Sequence, residues 1–422
     1  MPVEYSEFAQ NVRPEGAFEV LAVAKRLIAE GKKIYELEIG DSPFATPEVA
    51  RRAGIDAIND DLCHYGPSAG IAAFRQAASD YVNREFGFDT SLSNIIAGPG
   101  AKTFQLLFAE SFLNANDGVL VFTPYFPTYS SHIARRNARM VLSPLHQQNH
   151  FRPNIEDVAR FLDTDESPKA IFLNTPHNPT GGVASEQDLR DIANLVRGSN
   201  IAVFSDEPYD QMAWQESHHS IYAQPGMQDH VVAAYTFSKS FSMSGWRLGF
   251  AVASEATIKM FDTLTNTVIS CVPPFTQAAG VAALEQALTE RDEMMASFPD
   301  KLTHMVEALN AIPSVDCLFP GGSFYVFPNV MMICNRHGIS SHGLAMYLLE
   351  GADRDVGIAC LGGECFGEAG AGFIRLSSSL PLEELLAGIK FMAHAFEDDA
   401  AVRTYLNAKP EYKREKLFPS KN

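Results

Sequence analysis

Chemistry-bearing residues gather in a few short strings of this chain. In Tyr235-Thr-Phe-Ser-Lys239-Ser-Phe-Ser-Met-Ser-Gly-Trp-Arg247 a lysine follows directly on an apolar run. Thr236 and Ser238 precede it and Arg247 comes eight positions later. A lysine in an enclosed site serves as nucleophile or base, and hydroxyls with an arginine make a phosphate clamp. Taken alone, Lys239 also reads as a surface lysine at a strand end. In Asp206-Glu-Pro-Tyr209 an acid stands just after another apolar run. Acids so placed often bind magnesium, but the phosphate-binding GxxxxGK[ST] loop that accompanies such sites is missing, which disfavours a nucleotide enzyme. A third string, TPHNPTGG, encloses Asn178 between prolines and glycines. Such a loop is rigid and lets backbone approach a ligand; an ordinary βα turn reads the same way.

These residues need a scaffold, and the apolar runs supply one. Segments 94–97, 119–122, 170–174, 201–205, 231–235 and 248–252 are rich in Val, Ile and Phe with little polar alternation. Strands buried on both faces read like this. Helix-like stretches such as 101–113 and 186–197 lie between them, so the pattern predicts an α/β fold with a mostly parallel sheet between helices. Ligands bind beyond the carboxyl ends of such strands, where Asn178, Asp206 and Lys239 fall. Residues 16–31 predict an amphipathic helix with Phe18, Leu21, Leu27 and Ile28 on or near one face, and 71–84 predicts another. A helical tract over 275–309 is expected to break at Pro299. The 422 residues predict two domains. We expect an N-terminal arm with part of a small α+β domain over 1–45, a large domain over 46–305, a small C-terminal domain over 306–408 and a poorly ordered charged tail over 409–422.

Composition narrows the function. The net charge of −18 argues against nucleic-acid binding. No apolar run approaches a membrane span, and the N-terminus does not read as a secretory signal. Six cysteines without CxxC spacing support neither a disulfide framework nor a zinc site. A cytoplasmic protein with reduced thiols is expected.

Taken together, in order and spacing, Asn174 and Asn178, Asp206 and Tyr209, and Lys239 and Arg247 resemble the pyridoxal-phosphate (PLP) aminotransferases of class I/II, the aspartate-aminotransferase-like group of fold type I. NTPHNPTGG and SKSFSMSGWRLGF carry the likeness, which runs from about 16 to 396. The resemblance implies that Lys239 holds the cofactor as a Schiff base and then moves the substrate proton. It implies that Asp206 pairs with the pyridine nitrogen and that Tyr209 and Asn178 donate to the phenolic oxygen. Gly100, Ala101 and Lys102 at a helix start, with Thr236, Ser238 and Arg247, match the phosphate cup. Tyr65 matches a tyrosine reaching the phosphate from a neighbouring subunit, which implies a homodimer. Phe126 matches the ring that stacks on the cofactor, with Tyr125 as the alternative. Arg375, assisted by backbone at Gly40, matches the group that binds the substrate α-carboxylate. Lys102 either pairs with a distal carboxylate of an acidic substrate or neutralises the cofactor phosphate.

The chain departs from the family's usual form at Thr236, often Ser, at GDSPFATP and at Gly362, often Pro. The last two lie near the expected substrate entrance. Amino transfer between an L-amino acid and a 2-oxo acid is the expected function. A lyase, cyclase or oxidase on the same scaffold is the alternative, and a PLP-sensing regulator is disfavoured by the lack of room for a DNA-binding domain before Gly16. His218-His219 is read as a solvated loop rather than a metal pair. Gly367–Gly372 reads as a turn before the Arg375 strand, and Asp163, Asp165 and Glu166 as an exposed charged loop.

Overall fold

A computed structural model describes residues 3–12 and 14–414. In chain order its strands are β1 (Lys33–Glu36), β2 (Ile95–Gly98), β3 (Gly118–Thr123), β4 (Arg139–Pro144), β5 (Pro168–Asn174) and β6 (Ala202–Asp206). They continue as β7 (Val231–Thr236), β8 (Gly249–Val252), β9 (Tyr325–Val326), β10 (Val356–Ala359), β11 (Leu361–Gly362) and β12 (Ile374–Ser377). A seven-stranded sheet runs β2-β8-β7-β6-β5-β3-β4. Only β8 is antiparallel to its neighbours, so the carboxyl ends of the other six strands share one edge.

Both faces of this sheet are covered, and alternate residues go to opposite layers. Leu120, Phe122, Ile171, Leu173 and Val203 join one core cluster. Val119, Val121, Ala170, Phe172, Ala202 and Phe204 join the other. That double burial is why these strands are continuous apolar runs. Edge strand β4 is different: Arg139, Leu142 and Pro144 face solvent, and its polar content hides it from an apolar-run reading.

A further cluster gathers Val20, Ala24, Tyr35 and Leu37 with residues from Met294 to Leu406. It packs around β1 with β10 and around the β11-β12-β9 sheet. The 275–309 tract is three helices, Pro274–Gln286, Leu288–Ala296 and Phe298–Asn310. Pro299 stands in the first turn of the last of these rather than ending a helix, because a first-turn N–H has no helical acceptor to lose. The expected domain border after 305 falls inside this helix, whose Phe298, Leu302, Met305 and Leu309 belong to this same cluster.

The expected disordered tail divides. Lys409–Arg414 is placed: Lys413 bridges Ile339, and Ser340 N–H donates to the Tyr412 carbonyl at 3.0 Å. Residues 415–422 lie outside the described residues. Asp165 is also no free loop charge; Arg139 holds it with bonds of 2.9 and 3.1 Å, and its side chain is 8% exposed.

Candidate active site

The turn after β7 builds one wall of a cavity of about 480 Å³ at the carboxyl edge of the sheet. Lys239 Nζ enters it and donates to the Gly40 carbonyl at 2.5 Å. Position 40 has room only for glycine, since a Cβ there would lie 1.7 Å from the Tyr325 hydroxyl. The GDSPFATP segment is stitched to the lysine turn. Ser42 Oγ and Ser242 Oγ are 2.5 Å apart, Thr46 Oγ1 donates to the Ser242 carbonyl at 2.9 Å, and Trp246 Nε1 donates to Thr46 at 3.1 Å.

Thr236 and Ser238 hydroxyls lie 2.9 Å apart beside this turn. Arg247 closes it in the left-handed region, φ 53°. A non-glycine residue there is strained, and such strain concentrates at functional sites. Its guanidinium donates to the carbonyls of Ser244 (2.7 Å) and Pro99 (3.1 Å). It lies so close to Gly100 that a Cβ there would approach within 2.5 Å of the guanidinium. Gly100 and Ala101 lead into the helix Lys102–Phe112. Hydroxyls, guanidinium and helix start form an anion-binding cup.

Asp206 ends β6 and is buried. Its Oδ2 accepts from the Tyr129 hydroxyl at 2.6 Å and from Gln105 at 3.4 Å, while Oδ1 meets no donor among the described residues. Burial pushes this carboxyl up to about 6, and the Tyr129 and Gln105 donors pull the other way. Asn174 lines the cavity, but its amide is spent on the scaffold. Its Nδ2 donates to the Asp206 carbonyl at 2.8 Å, and its Oδ1 accepts the Asn178 backbone N–H at 2.9 Å. Asn174 therefore locks the β5 loop to the end of β6. Asn178 Oδ1 accepts from Arg375 Nη1 at 2.9 Å, and Arg375 Nη2 donates to the Glu38 carbonyl at 2.5 Å. Buried Arg375 Nε has no acceptor among the described residues, and the Tyr325 ring lies 4.2 Å from the guanidinium carbon.

The cavity also receives Ala101, Lys102, Phe126, Tyr209 and Gly40. Phe126, not Tyr125, lines it; Tyr125 packs at Gly367. Tyr209 donates its hydroxyl to Tyr325 at 3.1 Å. Tyr65 is 90% exposed and stays outside this cavity. Lys102 is ion-paired with Glu15, which the N-terminal segment brings over the cavity with Phe18. Sequence reasoning missed Gln105, Tyr129, Tyr325 and Glu15. Each reads as ordinary helix, core or turn, and only the tertiary fold turns it inward. The His218 reading needs correction. Its side chain is 3% exposed and bonds buried Glu207 at 2.8 Å. Ser205, Ser220 and Tyr235 also donate to Glu207, so a buried carboxylate draws the imidazole inside. No His/Cys/Asp/Glu group suited to a metal occurs among the described residues. At Gly362 a Cβ would lie 2.2 Å from the His342 backbone, which accounts for glycine there.

The arrangement fits pyridoxal phosphate. A buried carboxylate oxygen without a donor suits a protonated ring nitrogen, a glycine-backed anion cup suits a phosphate, and an amine lies in the same cavity. The family model described as aminotransferase class I and II matches residues 32–390. The chain belongs to that family. This class I/II aminotransferase is 31% identical over 370 residues to the aspartate aminotransferase of Pyrococcus horikoshii, covering 87% of this chain and 91% of that one. It is 30% identical over 385 residues to the arginine–pyruvate transaminase of Pseudomonas aeruginosa, covering 91% and 95%. Its fold is like that of the aspartate aminotransferase from Thermus thermophilus with maleate: TM-score 0.87, 25% identity, 93% of this chain and 100% of that one. The aminotransferase is thus a fold type I, PLP-dependent enzyme that moves amino groups between amino acids and 2-oxo acids. The lyase, cyclase and oxidase alternatives are not favoured.

Proposed function

We propose that this cavity binds pyridoxal phosphate through Lys239, Asp206 and the 236–247 cup, and receives an L-amino acid by its α-carboxylate at Arg375. The observation that carries the reading is the convergence of Lys239 Nζ, the donorless Asp206 Oδ1 and Arg375 in one cavity. Bound cofactor supplies an aldehyde for the amine and a ring that takes up electrons when the α-proton leaves. Lys239 Nζ moves the proton at the substrate Cα. Asp206 holds a proton on the ring nitrogen by its negative charge. Tyr209 and Asn178, which line the cavity, would serve the ring oxygen, and Phe126 would cover the ring. Gly100, Ala101, Thr236, Ser238 and Arg247 would hold the phosphate, with Lys102 at the same helix start. Arg375 orients the substrate, its guanidinium aimed by Asn178 and the Glu38 carbonyl. Asn174 acts by positioning.

The relatives' names differ in substrate: an acidic amino acid for one, arginine for another. Amino donor and acceptor therefore follow from this chain's own residues. Exposed Ile55, Ile58, Leu62, Tyr65, Met260 and Val268 support a homodimer in which each subunit lends Tyr65 to the other's site. The separate core clusters support a large domain beginning near 46 and a second one that joins the N-terminal segment to the C-terminal part, with 294–305 packed in the latter. Cysteines that are all free support a reducing, cytoplasmic setting. No helix of the described residues is long and apolar enough to cross a membrane.

The test is an absorbance titration of the loaded enzyme with single amino acids. An amino donor alone is expected to bleach the cofactor band, and a 2-oxo acid to restore it, regardless of oxygen. Lys239→Ala is expected to lose turnover by about 10³-fold or more. Ammonia release or oxygen uptake without an acceptor would overturn the transfer reading.

A further inference from the structure

Six charged side chains line the cavity: Asp206, Lys239, Arg247, Arg375, Glu15 and Lys102. The first four have roles in the proposed function, and Lys102 stands at the helix start beside the phosphate cup. The last two are committed to each other, Lys102 Nζ donating to Glu15 Oε1. The acid comes from the residue preceding the helix Gly16–Ala29, and the lysine opens the helix Lys102–Phe112. Glu15 is largely withdrawn from solvent, its side chain 16% exposed. The Lys102 ammonium also lies 6.0 Å from the Phe18 ring centroid and 5.4 Å from that of Phe126. Ala17, Phe18 and Ile39 add apolar groups to the lining of the same cavity.

From this we infer that Glu15 is a specificity-determining residue that neutralises Lys102, so that the site selects amino acids with uncharged side chains. The inference rests on the proposed function, because it takes Arg375 as the anchor for the α-carboxylate. With Arg375 so engaged, a second carboxylate on the substrate would have to share one ammonium with Glu15. Two anions at one cation lose both to repulsion and to desolvation. A cationic side chain meets the reverse conflict with Lys102. An apolar or aromatic side chain leaves the pair intact and covers Phe18 and Ile39, gaining buried area.

The experiment measures equilibrium binding of unreactive carboxylates to the loaded enzyme by calorimetry. The probes are 3-phenylpropanoate (uncharged side chain), succinate (acidic) and 5-guanidinopentanoate (basic). The wild type is expected to bind 3-phenylpropanoate at least tenfold more tightly than succinate. Glu15→Gln is expected to shift that ratio at least tenfold towards succinate, and Lys102→Gln to shift preference towards 5-guanidinopentanoate. A wild type that prefers succinate, or a ratio unmoved in Glu15→Gln, overturns the inference. Arg375→Ala separates the two levels. It must weaken every probe if the proposed function is right, and failure there sinks the anchor rather than the Glu15 assignment.

Discussion

Asp206 carries opposing pressures on one carboxyl group. Burial raises its proton affinity, while the Tyr129 hydroxyl and the Gln105 amide favour the ionised form. Only the ionised form attracts a cationic ring nitrogen. Cofactor affinity is therefore expected to fall as pH drops through about 6, where this carboxyl takes up its proton. Tyr129→Phe removes the 2.6 Å donor and should move that limb to higher pH. It should also weaken cofactor binding about tenfold or more, in line with a hydrogen bond to a charged group. Titration of the cofactor absorbance from pH 5 to 8 measures both effects. A Tyr129→Phe curve that overlays the wild type would show that Asp206 does not depend on this hydroxyl. Asp206 itself was legible in sequence, because an acid after a buried strand is conspicuous. Tyr129 was not, since nothing in TPYFPTY tells which ring turns towards β6.

Among elements, the stretch following β1 holds the least expected burial. Glu38 is fully buried, and neither carboxylate oxygen meets a donor from another of the described residues. Burial pushes this acid up to about 7; Glu36 adds to the rise, and Lys25 and Arg375 oppose it. The unfolded chain releases this proton near the ordinary value of 4.5, whereas the folded chain keeps it to about 7. Between those values the folded state binds the extra proton, so stability falls as pH rises through the window. The span corresponds to about 3 kcal/mol. Glu38→Gln should flatten the dependence and gain on the wild type by roughly that amount between pH 4.5 and 8. Urea denaturation at a series of pH values decides it: parallel curves for the two proteins would refute the assignment. The elements differed in how plainly sequence announced them. Strands β2, β3, β5, β6, β7 and β8 were legible because two-sided burial leaves uninterrupted apolar runs. Strand β4 was not, because its Arg139 and Pro144 are compatible with an edge alone. The Lys409–Arg414 segment looked like a free tail because its polar composition hides the backbone bonds to 338–340 and the packing of Tyr412 on Tyr405 that hold it.

For the whole molecule, the outer face of helix Glu48–Asn59 exposes Ile55 and Ile58, and helix Glu255–Ile269 exposes Met260 and Val268. With Tyr65 also exposed, these residues predict a shared-site dimer. Ile58→Asp should yield monomers by sedimentation and remove most activity. Mixing inactive Lys239→Ala with a Tyr65→Ala variant should recover about a quarter of wild-type activity, because half of randomly formed pairs contain one site with both residues. No recovery after confirmed subunit exchange would mean that Tyr65 serves no neighbouring site. The site's floor links the two cores as well. Gly40 reaches Lys239 through its carbonyl and leaves its Cβ position to the Tyr325 hydroxyl. Tyr325 in turn meets Tyr209 and lies under the Arg375 guanidinium. A single methyl group at position 40 would thus displace, through one ring, the contacts of both Tyr209 and Arg375. Tolerance to sequence drift should be lowest at the one floor position that has no side chain to lose.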